Sequence, residues 1–325
     1  MDELDKKIVT AIQGGLPAEE RPFDTLAARL GIDPEEMIAR VRRLVSDGMI
    51  RRLGPVFDSR SLGYASTLAA ARIPPERLAE VAARVNRLSG VTHNYERRHA
   101  YNLWFTLVCP SAAELERTIE ALRRETGIPD FHSLPALTVY KIRVQFDLAG
   151  EPEAPEYAGG RTEGVPPPLD EKQRELVRLL QDGLPVEREP FAAMASRLGW
   201  PAARVVRQVR AWLASGVIRR FGAVVRHREL GFAANGMAAF RAAPDVIDAA
   251  GKRLAKHGEV SHCYRRPPLP DFPHNLFAMV HGQSEEEVRR TVAAMAREIG
   301  VEDYAVLFSV TEFKKESMRY FPETA

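Results

Sequence analysis

Two cysteines in 325 residues, Cys109 and Cys263, are too few for a disulfide framework or a thiolate zinc site, and they fit a reducing compartment. No charge of one sign dominates: 46 Lys and Arg face 44 Asp and Glu, so the chain as a whole is not built to bind polyanions. No apolar run approaches the length that spans a bilayer, and the first residues open a charged amphipathic helix in place of a signal-peptide core. A phosphate-cradling glycine loop, finger-like spacing of metal ligands and a nucleophile elbow are all missing. These absences argue against nucleotide-binding, zinc-finger and serine-hydrolase classes. They lead us to expect a cytoplasmic globular protein with no membrane partner and no metal site of its own. Its length exceeds what one core carries and suits two to four small domains.

What the chain does have, it has twice. Gly14-Gly15-Leu16-Pro17 aligns with Asp182-Gly183-Leu184-Pro185, and without a gap Ile50-Arg51-Arg52 then meets Ile218-Arg219-Arg220. Leu62-Gly63-Tyr64 meets Leu230-Gly231-Phe232, and after one residue of slip Thr92-His93-Asn94-Tyr95 meets Ser261-His262-Cys263-Tyr264. A fold repeated only for packing keeps its apolar periodicity and lets charged positions drift. Here the charged positions agree. The chain therefore reads as a built-in pseudo-dimer, with a polar site in each half or one between them.

Each half opens with a helix-turn-helix. Leu4, Ile8 and Ile12 form one helical stripe, and Asp33, Pro34 and Glu36 read as an N-cap, first helical residue and capping box for a helix ending near Gly48. A short strand, Ile50–Leu53, follows in the place of a wing. The second copy repeats the pattern with a degraded cap, Trp200 standing for Asp33. Behind each follows βαββαβ, the ferredoxin-like unit. The expected organisation is α+β: a winged helix-turn-helix over 1–60 and a ferredoxin-like domain over 61–149. A Pro/Gly-rich linker over 150–168 leads to the second pair, 169–228 and 229–325.

The second strand of each ferredoxin-like unit carries the chemistry. Alternate strand side chains share a face, so His93, Tyr95 and Arg97 line up, and so do His262, Tyr264 and Arg266. A half-exposed sheet face asks for polar residues, and one histidine there would mean nothing. Repetition in both copies makes function the better reading. Positive charge gathers around these strands: Arg98 and His99, Arg265, His274 beyond an inserted loop (Pro267–Pro273), and Lys141 and Lys314, each behind an aromatic. Each alone reads as a solvated charge. The matched set suits a ligand with several carboxylates, which guanidinium binds through paired hydrogen bonds.

The architecture resembles the AsnC/Lrp regulators, and the strings go further. DGLPVEREPFAAMASRLGW, GVIRRFGAVVRHRELGF, EVSHCYRRP, HNLFAMVHG and EFKK in the second copy, with VTHNYERRHAYNLWFTL and LPALTVYKIRVQF in the first, resemble the siroheme decarboxylases. That family is built on the same plan, and its two related subunits look fused here, as in heme d1 biosynthesis. The resemblance implies siroheme as substrate and loss of its C12 and C18 acetate carboxyls to give 12,18-didecarboxysiroheme. It implies no cofactor, the iron arriving with the substrate. His93 and His262 are then the acid/base candidates, since a proton must reach the carbon that loses carbon dioxide. Tyr95 and Tyr264 orient the acetate or its histidine. Arg97, Arg98, His99, Lys141, Arg265, Arg266, His274 and Lys314 hold the other carboxylates. The second copy, with His262, Cys263 and His274, is the richer cluster. Cys263 or His274 is open to a place near the siroheme iron, against a buried structural role for the thiol.

Two rivals remain at this point. A DNA-binding regulator has in its favour Arg40, Arg42, Arg43, Arg204, Arg207 and Arg210 on the recognition helices, and against it their acidic neighbours and the even charge balance. A tetrapyrrole sensor shares the pocket and differs only in leaving its ligand unchanged. Pairing of chains through exposed sheet edges or helices, or contact with other tetrapyrrole-pathway proteins, stays open.

Overall fold

The computed structural model describes residues 1–142, 168–225 and 234–322. Most of the expected linker, the first copy's last strand beyond Ile142, and the Leu230-Gly231-Phe232 repeat lie outside the described residues.

The first copy begins with α1 (Glu3–Gly14), α2 (Pro22–Leu30) and α3 (Pro34–Ser46), the second with α6 (Glu171–Gln181), α7 (Ala192–Leu198) and α8 (Ala202–Ala214). Asp33 caps α3, accepting from the amides of Glu35 and Glu36. Glu36 does not close a capping box, because its carboxylate binds Arg40 at 2.8 Å. The ungapped repeat places Pro201, not Trp200, opposite Asp33, and Pro201 stands at the N-cap of α8 with no side chain to accept a bond.

The expected wing does something else. β1 (Ile50–Phe57) pairs antiparallel with β7 (Ile218–Val225) of the other copy, Gly54 meeting Gly222. The backbone of each copy's first turn also crosses over: Leu16 donates to the Phe221 carbonyl and Leu184 to that of Leu53, both at 2.8 Å. Only glycine permits the approach at 222, where a Cβ would stand 2.4 Å from the Ile12 carbonyl oxygen. Ile8, Phe23 and Val41 consequently share one apolar core with Leu176, Val205 and Trp212. The two helix-turn-helix units are one packed body.

That body uses up most of the arginines a DNA-binding reading relies on. Arg40 pairs with Asp2, Asp5 and Glu36, and Arg43 with Asp5. Arg42 donates to the Val186 carbonyl and Arg210 to that of Ala18, each across the two copies. Glu35, in the first turn of α3 where base contacts are made in DNA-reading helices, binds Arg188 of the second copy at 2.9 Å.

The ferredoxin-like units follow. The first comprises β2 (Ala65–Ala71), α4 (Leu78–Asn86), β3 (Val91–Arg97), β4 (Leu103–Cys109), α5 (Ala112–Thr126) and β5 (Phe131–Pro135). The second comprises β8 (Ala234–Phe240), α9 (Ile247–Leu254), β9 (Val260–Arg265), β10 (Leu276–Gly282), α10 (Glu285–Ile299) and β11 (Tyr304–Lys315). Ser111 and Ser284 cap α5 and α10, accepting from Glu114 and Glu287, and Gly127 and Gly300 end them in the left-handed region.

The fourth strand of each unit is longer than a single-copy sheet needs, and its second part leaves home. β11 pairs with β8 over residues 304–308 and then with β3 of the first copy over 309–315. In the first copy β5 pairs with β2, and after Ala136-Leu137 the chain continues as β6 (Thr138–Ile142), which pairs with β9. The resulting sheet runs β5-β2-β4-β3-β11-β8-β10-β9-β6. Its two end strands are two residues apart in sequence, so the sheet curls into a ring. The pairing of copies is thus internal, and the inner strands have neighbours on both sides. Helices cover the outside. Inside, Ala70, Trp104 and Leu134 pack against Met237, Phe277 and Leu307.

Candidate active site

A bulge sets up each His-x-Tyr-x-Arg strand. The β3–β4 register slips between Val91 and His93, and the β9–β10 register between Val260 and His262. The extra residue is Thr92 in one copy and Ser261 in the other. The hydroxyl beside the bulge meets the next imidazole: Thr92 Oγ1 lies 3.0 Å from His93 Nδ1 and Ser261 Oγ 2.9 Å from His262 Nδ1.

Beyond the bulge the alternation is regular and builds two ladders. His93 and Tyr95 stack with ring centroids 6.2 Å apart, and the Arg97 guanidinium lies 5.6 Å from the Tyr95 centroid. In the second copy the figures are 6.1 Å for His262 and Tyr264, and 4.6 Å for Arg266 over Tyr264. The residues between them face the helices. Asn94 donates to the Ala82 carbonyl and Asn86, and Cys263 donates to the Gly251 carbonyl. Burial pushes the Cys263 thiol up to about 12, and its side chain faces α9, on the opposite side of the strand from His262 and Tyr264.

Both ladders face the interior of the ring, close enough that a charge on His93 opposes one on His262. Burial is the main reason each imidazole is held down to about 4. The cations nearby add to it: Lys315 and Arg51 beside His93, partly offset by Glu312, and His281, Arg219 and Arg266 beside His262. Both histidines are neutral at pH 7. Each keeps part of its surface exposed although protein surrounds it, as a side chain lining a crevice does.

The two ladder arginines lack anions. Arg97 donates to the Leu307 carbonyl at 2.8 Å, Arg266 donates to the Leu134 carbonyl, and neither has an acidic partner among the described residues. The Nε of each is buried without a hydrogen-bond partner. Burial lowers both guanidiniums to about 10. A buried cation left uncompensated is a standing cost, and an anionic ligand removes it.

Other residues expected to hold substrate stand elsewhere. Lys314 donates to the carbonyls of Asn86 and Leu88, and Lys141 to that of His257, each neutralising the C-terminal end of a helix outside the ring. Arg98 pairs with Glu285 on α10, and Arg265 lies 4.0 Å from Asp248 on α9. His99 and His274 gather around Phe272, their ring centroids 4.6 and 4.2 Å from it, and His274 lies 3.2 Å from Asp303. The inserted loop thus carries Phe272 against Trp104 and Phe277 as an apolar plug. These six residues are thus engaged with protein groups and stand outside the two ladders.

Four unexpected residues join the ladders: Arg51, Arg219, Ser261 and His281. Arg219 is aimed by buried Asp58 of the first copy, its Nε 2.6 Å from the carboxylate. Three of the four were signalled by the same repetition that marked the histidines. His281 was not, because Val108 holds its place in the first copy. Among the described residues no group of three or more His, Cys, Asp or Glu could hold a metal ion, and no helix is long and apolar enough to cross a membrane.

Comparison with known proteins agrees along the whole chain. A family described as "Siroheme decarboxylase NirDL-like HTH domain" matches residues 5–51 and 173–219, and "AsnC-like ligand binding domain" matches 61–141 and 229–314. The siroheme decarboxylase of Hydrogenobacter thermophilus is 37% identical over 323 residues, 99% of this chain and 96% of that protein. A siroheme decarboxylase alpha subunit of Oleidesulfovibrio alaskensis is 46% identical over 154 residues, 47% of this chain and 93% of that subunit. The crystal structure of the siroheme decarboxylase NirDL in complex with an iron-uroporphyrin III analogue superposes with a TM-score of 0.78 at 34% identity, covering 98% of this chain and 94% of that one. The Escherichia coli AsnC structure is 23% identical over 42% of this chain, with a TM-score of 0.37. With both helix-turn-helix units and both ligand-binding units matched, and a relative 37% identical along nearly its full length, this chain belongs to the siroheme decarboxylase family, in its fused single-chain form.

Proposed function

We propose that this chain decarboxylates siroheme at the crevice between its two ladders, removing the C12 and C18 acetate carboxyls to give 12,18-didecarboxysiroheme. The observation that carries the reading is the pair of buried, acid-free guanidiniums, Arg97 and Arg266, each two residues from a tyrosine and four from a histidine on one sheet face. A macrocycle bearing many carboxylates supplies the anions those cations lack. Two ladders related by the internal repeat suit two acetates on one flat ring.

The chemistry follows from those positions. Arg97 and Arg266 bind carboxylates that do not react and so fix which acetate lies beside a histidine. When the carbon–carbon bond of that acetate breaks, carbon dioxide leaves and the electron pair stays on the methylene carbon, spread into the conjugated ring. An imidazole N–H then gives its proton to that carbon, and the acetate has become a methyl group. The reaction consumes one proton per carbon dioxide and asks for no oxidant. Because both histidines are neutral in the free protein, the proton arrives with the substrate or after it. Added carboxylates raise the pKa values of the histidines lining the crevice and draw that proton in.

The test is anaerobic incubation with siroheme followed by mass spectrometry of the extracted tetrapyrrole. Loss of two carbon dioxide units is the expected result. Bound but unchanged siroheme would return the sensor reading. For the individual roles, His93→Asn and His262→Asn are each expected to bind siroheme and to lose at least one decarboxylation.

A further inference from the structure

Ser261 is buried and touches two imidazoles at once: its Oγ lies 2.9 Å from His262 Nδ1 and 2.7 Å from His281 Nε2. A hydroxyl has one proton to give and lone pairs to accept, so it joins the two rings into one continuous hydrogen-bonded chain. The outer ring is placed to feed the inner one. His281 lies at the end of β10, on the same interior face as Phe277 and Met279 by strand alternation, and it keeps part of its surface exposed.

The first copy builds the same arrangement and stops short. Thr92 Oγ1 reaches His93 Nδ1 at 3.0 Å, so the bulge hydroxyl is kept. The residue matching His281 is Val108: the Val108 amide donates to the Gly90 carbonyl as the His281 amide donates to that of Glu259. Valine neither gives nor takes a proton. The relay is therefore a property of the second copy alone, although the histidine it would serve is present in both.

We infer that His281 is the proton source for His262, acting through Ser261, so that the second copy's decarboxylation is fed by a wired relay and the first copy's is not. This rests on the reading of His262 as the group that protonates the substrate carbon. The step balances as a shift of hydrogen bonds. His262 Nε2–H passes its proton to the methylene carbon as the carbon–carbon electron pair is released. Its Nδ1 takes the hydroxyl proton of Ser261, whose oxygen takes the Nε2 proton of His281. The inner imidazole stays neutral throughout, and the charge lost is that of an imidazolium at His281. His262 ends as the other tautomer and returns to the first by exchange with solvent when product leaves.

The experiment follows both decarboxylations by anaerobic single-turnover mass spectrometry in wild type, His281→Asn, His281→Ala, Ser261→Ala and Ser261→Thr. The amide introduced by His281→Asn keeps a hydrogen bond to Ser261 and cannot relay a proton, so it separates relay from packing. Both His281 variants are expected to accumulate a mono-decarboxylated tetrapyrrole, with one step slowed by roughly 10²-fold and siroheme affinity unchanged, the range general acids contribute. Added imidazole restores the slow step in His281→Ala but not in Ser261→Ala, and Ser261→Thr, which copies the first half, retains activity. Wild-type rates for both steps in His281→Asn overturn the relay. So does equal slowing of both steps, or weaker siroheme binding in proportion to the lost rate. Full activity of His262→Asn instead removes the underlying assignment, which is a distinguishable result.

Discussion

Arg97 of the first copy donates to the carbonyl of Leu307 in the second, and Arg266 of the second donates to that of Leu134 in the first. Each guanidinium is thereby pinned by the other copy's fourth strand and aimed along its own tyrosine. No acid among the described residues neutralises either one. A protein selected for stability alone gains little from two such groups, so they mark where stability has been spent on binding.

The consequence is a split between stability and affinity. Replacing Arg97 or Arg266 by Met removes a desolvated cation, which at a lowering from 12.5 to about 10 carries a cost on the order of 3 kcal/mol, and leaves one carbonyl unpaired at about 1–3 kcal/mol. The two effects nearly cancel, and Tm is expected to stay within a few degrees. Siroheme affinity is expected to weaken about 10- to 100-fold per arginine, the worth of a charge-assisted hydrogen bond. Thermal melts beside siroheme titrations check this, and a large fall in Tm at unchanged affinity would assign the arginines to the fold instead.

Acid should weaken the fold through the ladder histidines. Each has a folded pKa of about 4 against an ordinary 6.5, so the unfolded chain binds more protons between those values. Stability then falls as pH drops from 6.5 and the loss is complete near 4, amounting to on the order of 2–3 kcal/mol per histidine. Urea unfolding at pH 7 and pH 4.5 is expected to show this slope in wild type and a flatter one in His93→Asn/His262→Asn. An identical slope in the double variant would place the acid sensitivity elsewhere.

Repetition made the ladders legible in sequence, because a polar triplet kept in register twice has no packing explanation. The strand alternation was equally plain. Three features were not. A strand paired within its own unit and one paired across copies have the same apolar pattern, so neither the β1–β7 pairing nor the crossing of β6 and β11 could be read. A bulge adds a residue without a fixed composition, so repetition marked the positions of Thr92 and Ser261 but not their contact with the histidines. Lys141 and Lys314 matched each other as well as the histidines did, yet the strand phase puts them on the helix side. Matched charge marks a shared role, and that role here is a helix end.

Those lysines make the contrast testable. Lys314→Met and Lys141→Met each free helix-terminal carbonyls and are expected to cost about 1–2 kcal/mol of stability. Activity per folded molecule and siroheme affinity should remain those of wild type. Equilibrium unfolding together with the decarboxylation assay decides it, and a loss of affinity without loss of stability would restore the lysines to the substrate.

The neutral state of His93 and His262 also fixes a sign for substrate binding. In the free protein at pH 7 neither imidazole carries a proton charge, and Arg51, Arg219, Arg266 and Lys315 help keep it so. A ligand that brings several carboxylates between the ladders pairs with those cations and raises every histidine pKa in the crevice. Binding must then take up protons, and affinity must rise as pH falls from 8 toward 6. Titration calorimetry in two buffers of different ionisation enthalpy reads the uptake directly, and we expect between about half a proton and two per siroheme at pH 7. His93→Asn/His262→Asn should lower that number without abolishing binding, because the arginines remain. Proton release, or no exchange at all, would mean that the carboxylates lie away from the histidines, and with that the geometry of the proposed reaction would fall.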